Sequence, residues 1–313
     1  MRCTMFNALV RYKNERMRMP GIKTTLKYIA PFVIIWLTQG CRIINPAEQV
    51  PTYVHIDSFA FQRDSALSLS LSSSHQINSV WAYYNNNPIG VFDLPVTFPV
   101  ITNGTGVLSL YPGIAVSGLN SFLAKYPFYM ADTLNLIPQP GKVVHHIPIT
   151  KYFTATRFYP QTSINFENHI TSFTLVDGTA EMGITTDPSQ VFEGEGSGII
   201  KLTSPTDTLS ESSYNVDFSI PVGVDAYIEL NYNNTVPFYL GMQSNLTGGI
   251  VYKRYLSGIN TSSGQWKKFY LGVKDFAGQY RGDNYTFFIK AYLPQGQASG
   301  TVLLDNIQLV YFD

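Results

Sequence analysis

Cysteine is almost absent from this 313-residue sequence, which contains only Cys3 and Cys41. A framework of disulfide bonds therefore cannot hold the chain together. Charged residues are also scarce, at 13% of the total, about half of their usual share of ~25%. Aromatic residues reach 14%, with 21 Tyr and 20 Phe, which excludes an intrinsically disordered chain. The length suggests about two domains.

Basic residues are sparse beyond residue 40. Residues 1–40 contain seven Lys and Arg side chains and one acid, Glu15, which leaves 14 basic and 20 acidic side chains in residues 41–313. A domain that binds nucleic acid carries a basic patch that neutralises phosphate groups. The mildly acidic body therefore predicts that nucleic acid is not a partner.

Motifs of the common catalytic classes are missing. The sequence contains no Gly-x-Ser-x-Gly nucleophile elbow, no Gly-x-x-x-x-Gly-Lys-[Ser/Thr] loop and no His-Glu-x-x-His pair. Carboxylates that could serve glycoside hydrolysis fall at predicted turns or strand ends; these are Glu181, Glu193, Glu195 and Glu211. We therefore predict a protein that is not an enzyme and has no cofactor other than the calcium ion considered below.

A short apolar run, Tyr28–Leu37, follows Lys23 and Lys27. Its ten residues are too few to span a hydrocarbon layer of ~30 Å as a helix. A basic flank before a short apolar segment is instead typical of a secretory signal.

The run ends at Gly40–Cys41, which resembles the cleavage junction of a bacterial lipoprotein signal. The resemblance implies that residues 1–40 are removed, that Cys41 is acylated, and that residues 41–52 form a tether to the membrane. The alternative is a cleaved signal followed by a buried structural cysteine.

Beyond residue 52 the sequence contains no amphipathic helix longer than about two turns. Short runs rich in Val, Ile, Tyr and Phe alternate instead with Gly, Pro, Asn and Ser, as is typical of strands and turns. About seven strands over residues 53–159 predict an immunoglobulin-like or transthyretin-like β-sandwich. About eight or nine more over residues 160–313 predict a β jelly roll. The expected fold class is all-β.

Three segments of the first predicted domain resemble uncharacterised outer-membrane lipoproteins of the Bacteroidota. The segments are Gly90–Pro95, Tyr111–Ile114 and Tyr126–Tyr129. A stretch of about 60 residues also resembles the carboxypeptidase-regulatory-like β-sandwich, and this resemblance is carried by Val80–Tyr84, Pro88–Pro95, Asn103–Gly104 and Leu108–Leu110. These resemblances imply a place in the cell envelope and no assigned activity.

The second predicted domain resembles carbohydrate-binding modules of the galactose-binding-like jelly-roll type. The resemblance is carried, in this order, by Asn165–Glu167, Glu195–Gly198, Trp266–Leu271 and Val302–Leu309. It covers the C-terminal half of the chain and implies a jelly roll, while one such fold serves many ligands.

Asp305 interrupts an apolar strand face. A two-residue period places it with Leu303, Ile307 and Leu309, where an ionised carboxylate is costly unless it is paired, hydrogen-bonded or bound to a cation. In the resembling modules, an Asp at this place and an early Glu, here Glu167, help to bind a structural calcium ion. The alternative is an Asp that accepts backbone hydrogen bonds at a strand bend.

Tyrosine is abundant on the predicted strands of the second domain. Exposed aromatic rings stack on the apolar faces of sugars. Tyr239 and Tyr252 lie in strands that alternate apolar and polar residues, so we expect them to form a glycan platform. The alternative is packing in the core or at a strand edge.

Together these features predict a non-catalytic, lipid-anchored protein of the bacterial cell envelope, at the outer membrane. Its expected partners are the membrane and either a glycan or an envelope protein assembly that it scaffolds. Residues after Cys41 lack an acidic run, so surface and periplasmic orientations both stay open. The alternative is a glycan-processing enzyme similar to glycoside hydrolases, with a cleft between the two domains.

Overall fold

The computed structural model describes residues 48–63, 72–119 and 122–312. Regular structure in these ranges is nearly all β-strand, which confirms the predicted all-β class. The strands are β1 (Thr52–Ile56), β2 (Ala60–Phe61), β3 (Ser79–Tyr84), β4 (Asn87–Asp93), β5 (Val96–Val100), β6 (Gly106–Ala115), β7 (Leu123–Lys125), β8 (Asp132–Leu136), β9 (Val143–His145), β10 (Ile149–Thr150), β11 (Thr156–Ile164), β12 (Phe173–Gly178), β13 (Met182–Thr185), β14 (Ser197–Thr203), β15 (Leu209–Tyr214), β16 (Ala226–Asn234), β17 (Phe238–Leu246), β18 (Ile250–Ile259), β19 (Lys267–Gly272), β20 (Asn284–Tyr292) and β21 (Ser299–Phe312). A 3-10 turn, Val116–Gly118, and one short helix, α1 (Lys274–Gln279), interrupt them.

The strands before residue 156 form a β-sandwich around one hydrophobic core. β1 pairs with β5 and β9 in one sheet, and β3 and β6 lie at the centre of a second sheet with β4, β7 and β8. The two-residue period turns Val54 and Ile56 of β1, and Val80 and Ala82 of β3, into this N-terminal core.

The strands from residue 156 onward form two antiparallel sheets that pack face to face, as in a jelly roll. One sheet has the order β13-β14-β21-β16-β19, with β11 also paired to β21, and the other has the order β12-β15-β20-β17-β18. A second hydrophobic core, the C-terminal core, lies between them.

The central strands of the first of these sheets, β16 and β21, are buried on both faces. Leu309 of β21 belongs to the C-terminal core, whereas its neighbour Val310 belongs to the N-terminal core. Ile228 and Tyr227 of β16 divide between the two cores in the same way. Because β21 is covered on both sides, every side chain from Val302 to Val310 is buried.

Several predictions concern regions that the structure does not test. Residues 1–47, and with them Cys41, lie outside the described residues, so the signal, the acylation and the tether stay predictions. From Pro51 onward the chain forms one compact unit, and the domain limits near residues 52 and 159 also stay predictions. Within the described ranges, no helix has the length and apolar character needed to cross a bilayer.

Candidate functional site

The outer face of the β12-β15-β20-β17-β18 sheet carries a row of polar side chains. In β20, Phe287, Ile289 and Ala291 belong to the C-terminal core, so Lys290 and Tyr292 between and beyond them point outward. Strand register places Lys290 beside Glu211 of β15 and beside Tyr239 of β17. Asp177 of β12 extends the row on the far side of Glu211.

Three tyrosines form what we call the tyrosine face: Tyr239, Tyr255 and Tyr292. The ring centroids of Tyr239 and Tyr292 lie 6.0 Å apart with planes only 19° from parallel, and Tyr239 lies 5.8 Å from Tyr255. Tyr255 is 51% exposed and Tyr292 is 37% exposed. The tyrosine face therefore offers accessible aromatic surface on the outer side of the sheet.

A charged cluster lies beside these rings and is centred on Glu211, which is only 3% exposed. Its carboxylate accepts hydrogen bonds from Lys253, from Lys290 at 2.9 Å and from the Tyr255 hydroxyl at 2.8 Å. Burial alone would raise the pKa of Glu211, but these hydrogen bonds outweigh it and lower the pKa to about 2. Glu211 is therefore ionised at neutral pH and holds both lysines in place.

Gly241 of β17 provides room for this packing. Its register neighbours are Phe288 in β20 and Tyr255 in β18, at a bulge in the β17–β18 pairing. A Cβ atom at residue 241 would lie 2.1 Å from the Phe288 ring and 2.6 Å from the carbonyl oxygen of Arg254. Only glycine allows Phe288 to pack beneath Tyr255, where the ring centroids are 5.2 Å apart.

Tyr239 and Tyr252, the two tyrosines predicted from sequence, are not brought together. Tyr252 follows β18 with the opposite parity to Lys253, so its side chain leaves the opposite face of this edge strand. Its ring contacts Tyr280 at 5.3 Å. Tyr239 alone of the pair belongs to the tyrosine face.

Sequence reasoning missed most of this site. Glu211 was predicted at a turn or strand end, and this was wrong, because it lies within β15 and is buried by residues from β18 and β20. A usable signal was present in the repeated Lys-x-Tyr pattern of Lys253–Tyr255 and Lys290–Tyr292. That spacing places a lysine and a tyrosine on the same face of each strand.

Asp305 is fully buried, and its surroundings differ from the prediction in one respect. Asn306 adopts a positive φ of 50°, which breaks the two-residue period of β21. Leu304 and Ile307 consequently both face the C-terminal core, so Asp305 does not share a face with Ile307. Its carboxylate accepts hydrogen bonds from the Ser197 hydroxyl at 2.6 Å and from the Asn306 backbone N–H at 2.8 Å.

Two further carboxylates act on Asp305. Burial raises the pKa of Asp305 to about 7 against the pull of its hydrogen bonds, and the charges of Glu193 and Glu167 contribute to the rise. A divalent cation would relieve this repulsion. Across the described ranges, however, no group of three or more His, Cys, Asp or Glu side chains is arranged to hold a metal ion. Calcium at Glu167 and Asp305 would thus also need backbone carbonyl or water ligands.

Comparisons with known proteins give similarity of fold only. No protein-family description matches the chain, and no curated protein matches it. Among solved structures, the CBM22-1 xylan-binding domain of Paenibacillus barcinonensis Xyn10C is 14% identical, with a TM-score of 0.36, over 48% of this chain and 92% of that domain.

Two other carbohydrate-binding modules are similar to the same degree. TmCBM61, solved with β-1,4-galactotriose, is 12% identical with a TM-score of 0.32, over 48% of this chain and 94% of its own. A structure of carbohydrate-binding modules from the β-sandwich superfamily is 15% identical with a TM-score of 0.36, over 84% of this chain and 98% of its own. At these values the likenesses assign no ligand to this chain.

Proposed function

We propose that this chain is a non-catalytic, lipid-anchored protein of the bacterial cell envelope that binds a glycan through the tyrosine face. The observation that carries the proposal is the grouping of three partly exposed tyrosine rings around the Glu211–Lys253–Lys290 cluster. Aromatic rings stack on the C–H faces of sugars, and each such contact contributes about 1 kcal/mol. The ammonium groups of Lys253 and Lys290, which the buried Glu211 carboxylate holds in place, can donate hydrogen bonds to sugar hydroxyls.

The ionised state of Glu211 at neutral pH supports binding rather than catalysis. A general acid for glycoside hydrolysis needs a raised pKa so that it keeps its proton. The pKa of Glu211 is instead lowered to about 2 by its lysine and tyrosine partners. Asp305, whose pKa is raised, is fully buried and does not reach a ligand on the surface.

Calorimetry against a panel of neutral and acidic oligosaccharides tests the binding proposal. We expect affinities between micromolar and millimolar, because two or three stacking contacts only modestly exceed the cost of ordering the ligand. Tyr239→Ala or Tyr292→Ala should weaken binding about five-fold or more. Tyr111→Ala, which removes an exposed tyrosine of the N-terminal sandwich, is the matched control and should leave affinity unchanged.

Tyr252→Ala belongs in the same series. Its side chain points from the opposite face of β18, so a loss of affinity equal to that of Tyr239→Ala would extend the site around the sheet edge.

Absence of any glycan signal at about 10 mM would reject the binding proposal. Turnover of a glycan would support the enzyme alternative.

The anchor is tested separately at Cys41. Acylation together with a second acyl chain gives stable attachment to a membrane. The full-length protein should therefore sediment with outer membranes, whereas Cys41→Ala should appear in the soluble fraction. If the two proteins distribute alike, residues 1–40 are not a lipoprotein signal. Protease treatment of intact cells then distinguishes surface from periplasmic orientation.

The scaffold role has an observation of its own, on the outer face of the N-terminal sandwich. Lys125 Nζ lies 4.9 Å from the ring centroid of Tyr111, 5.1 Å from that of Tyr83 and 5.7 Å from that of Trp81. Tyrosine and tryptophan side chains are enriched at protein interfaces, so this aromatic surface suits contact with a protein. Co-purification of an envelope protein that is lost in Lys125→Ala and retained in Tyr239→Ala would favour this role.

A further inference from the structure

A cavity of about 440 Å³ opens where the N-terminal sandwich packs against β18 and β19. Its walls come from the segment before β3, the 3-10 turn Val116–Gly118, the end of β18 and the first half of β19. The volume is sufficient for one or two sugar-sized groups. None of the lining residues belongs to the tyrosine face.

The cavity walls are held in place by specific contacts. The Tyr270 hydroxyl accepts a hydrogen bond from the Gln76 backbone N–H at 3.0 Å. The carbonyl of Ser117 accepts one from the Ser257 hydroxyl at 3.1 Å. Gly118 has a φ of +73°, and a Cβ atom there would lie 2.7 Å from the Phe269 ring. Glycine therefore lets the turn close against β19 and complete the wall.

The charge of the cavity is positive. Lys267 and Lys268 line it, and no carboxylate does. Lys268 is neutralised by Glu229, because its Nζ atom lies 2.5 Å from Glu229 Oε2. Lys267 is half-buried, and no carboxylate of the described residues forms an ion pair with it. A half-buried cation without a counter-charge favours an anionic group on a ligand.

The polar lining also offers sites for hydroxyl groups. Asn78, Asn260 and Thr261 line the cavity with side chains that can donate hydrogen bonds to a hydroxyl group or accept them from it. Tyr232 and Phe269 supply aromatic surface.

We propose that this cavity binds an acidic monosaccharide unit, with its carboxylate on Lys267 and its hydroxyl groups on the polar side chains of the lining. A hydroxylated ring that carries one carboxylate matches the cation, the polar lining and the aromatic walls together. Inorganic phosphate would satisfy the cation alone. The site is separate from the tyrosine face and does not rest on the function proposed for it.

Calorimetry with the full-length protein tests the site, using D-glucuronate, D-galacturonate, their neutral counterparts D-glucose and D-galactose, and inorganic phosphate as probes. We expect at least one uronate to bind in the millimolar range, about ten-fold more tightly than its neutral counterpart. Lys267→Gln should remove this preference, and Asn78→Ala should weaken uronate and neutral sugar alike. Lys201→Gln, which changes an exposed strand lysine, is the matched control.

The result that overturns the proposal is equal binding of uronate and neutral sugar, no uronate binding at about 10 mM, or phosphate binding as tight as that of uronate. Tyr292→Ala should leave uronate binding unchanged, and Lys267→Gln should leave oligosaccharide binding at the tyrosine face unchanged. Failure of one site is therefore distinguishable from failure of the other. Thermal melting of each variant shows that a lost signal does not come from unfolding.

Discussion

Two buried carboxyl groups, Glu211 and Asp305, have opposite electrostatic surroundings. Glu211 accepts hydrogen bonds from two lysines and a tyrosine, and its pKa falls to about 2. Asp305 accepts hydrogen bonds from a hydroxyl and a backbone N–H, lies near two further acids, and has a pKa of about 7. The number of nearby cations therefore decides which buried acid is ionised in this fold.

The raised pKa of Asp305 predicts that stability falls as the pH rises. The folded state holds the Asp305 proton more tightly than the unfolded chain, so its contribution is complete below about pH 4 and is lost as the pH passes about 7. Between about pH 5 and about pH 8, wild type should lose stability relative to Asp305→Asn by the order of 3 kcal/mol. Urea unfolding in the presence of chelator measures this difference. Glu211 does not interfere, because its lowered pKa affects stability only below about pH 4.5.

The response of stability to added calcium is a second test of the role of Asp305. If calcium binds at Glu167 and Asp305, it should restore stability at about pH 8, by about 2.7 kcal/mol at a hundredfold excess over Kd. Asp305→Asn and Glu167→Gln should not respond. Coinciding wild-type curves in calcium and in chelator would leave Asp305 as a hydrogen-bonded acid without a cation.

Among the elements, the pair β17–β18 determines the shape of the tyrosine face. Their register shifts between Leu240 and Gly241, so that Lys253 and Tyr255 both point to the outer side. Phe288 of the next strand fills the space above Gly241. The bulge and the missing side chain together place Tyr255 within reach of Tyr239.

Gly241→Ala should therefore disrupt the tyrosine face by displacing Phe288, which packs against Tyr255. The added methyl group collides with the Phe288 ring and with the backbone at Arg254, and such overpacking costs about 1–3 kcal/mol. We expect a lower melting temperature and weaker glycan binding. Gly278→Ala is the control, because Gly278 is exposed in α1, a methyl group there would have no neighbouring atom within 4 Å, and alanine favours helix. Equal effects of the two variants would show that the bulge does not shape the site.

At the scale of the whole molecule, one buried polar network joins the N-terminal sandwich to the jelly roll. Glu229 of β16 is 1% exposed and accepts hydrogen bonds from the hydroxyls of Tyr126 and Tyr152, the latter at 2.8 Å. Lys268 of β19 neutralises it. Burial, with the nearby Glu229 charge, raises the pKa of Tyr126 and of Tyr152, so both hydroxyls keep the protons that they donate.

Glu229→Gln should destabilise the protein by about 3–5 kcal/mol, because it leaves Lys268 buried without a counter-charge. Tyr152→Phe should cost less, about 1–3 kcal/mol, since it removes one donor and keeps the ion pair. Urea unfolding followed by fluorescence and circular dichroism measures both. Glu181→Gln, at an exposed glutamate, should be neutral. A Glu229→Gln protein as stable as wild type would mean that the network does not hold the two parts together.

The sequence by itself determined the local properties of the chain. Alternation of apolar and polar residues and the turn residues between them were enough to predict an all-β fold, because strand periodicity depends only on near neighbours. The prediction that Glu181, Glu193 and Glu195 lie at turns or strand ends was also correct: Glu181 directly precedes β13, and the other two lie between β13 and β14. These features need no knowledge of strand order.

Only the tertiary structure decided which residues meet. Glu211 is buried because β18 and β20 place Lys253 and Lys290 over it, and these three residues lie far apart in sequence. Asp305 left its predicted face because a single positive φ at Asn306 shifted the period of β21. The Lys267 cavity exists because separate segments close around it. Strand order, register and bulges bring distant residues together, and none of these can be read from the period of one strand.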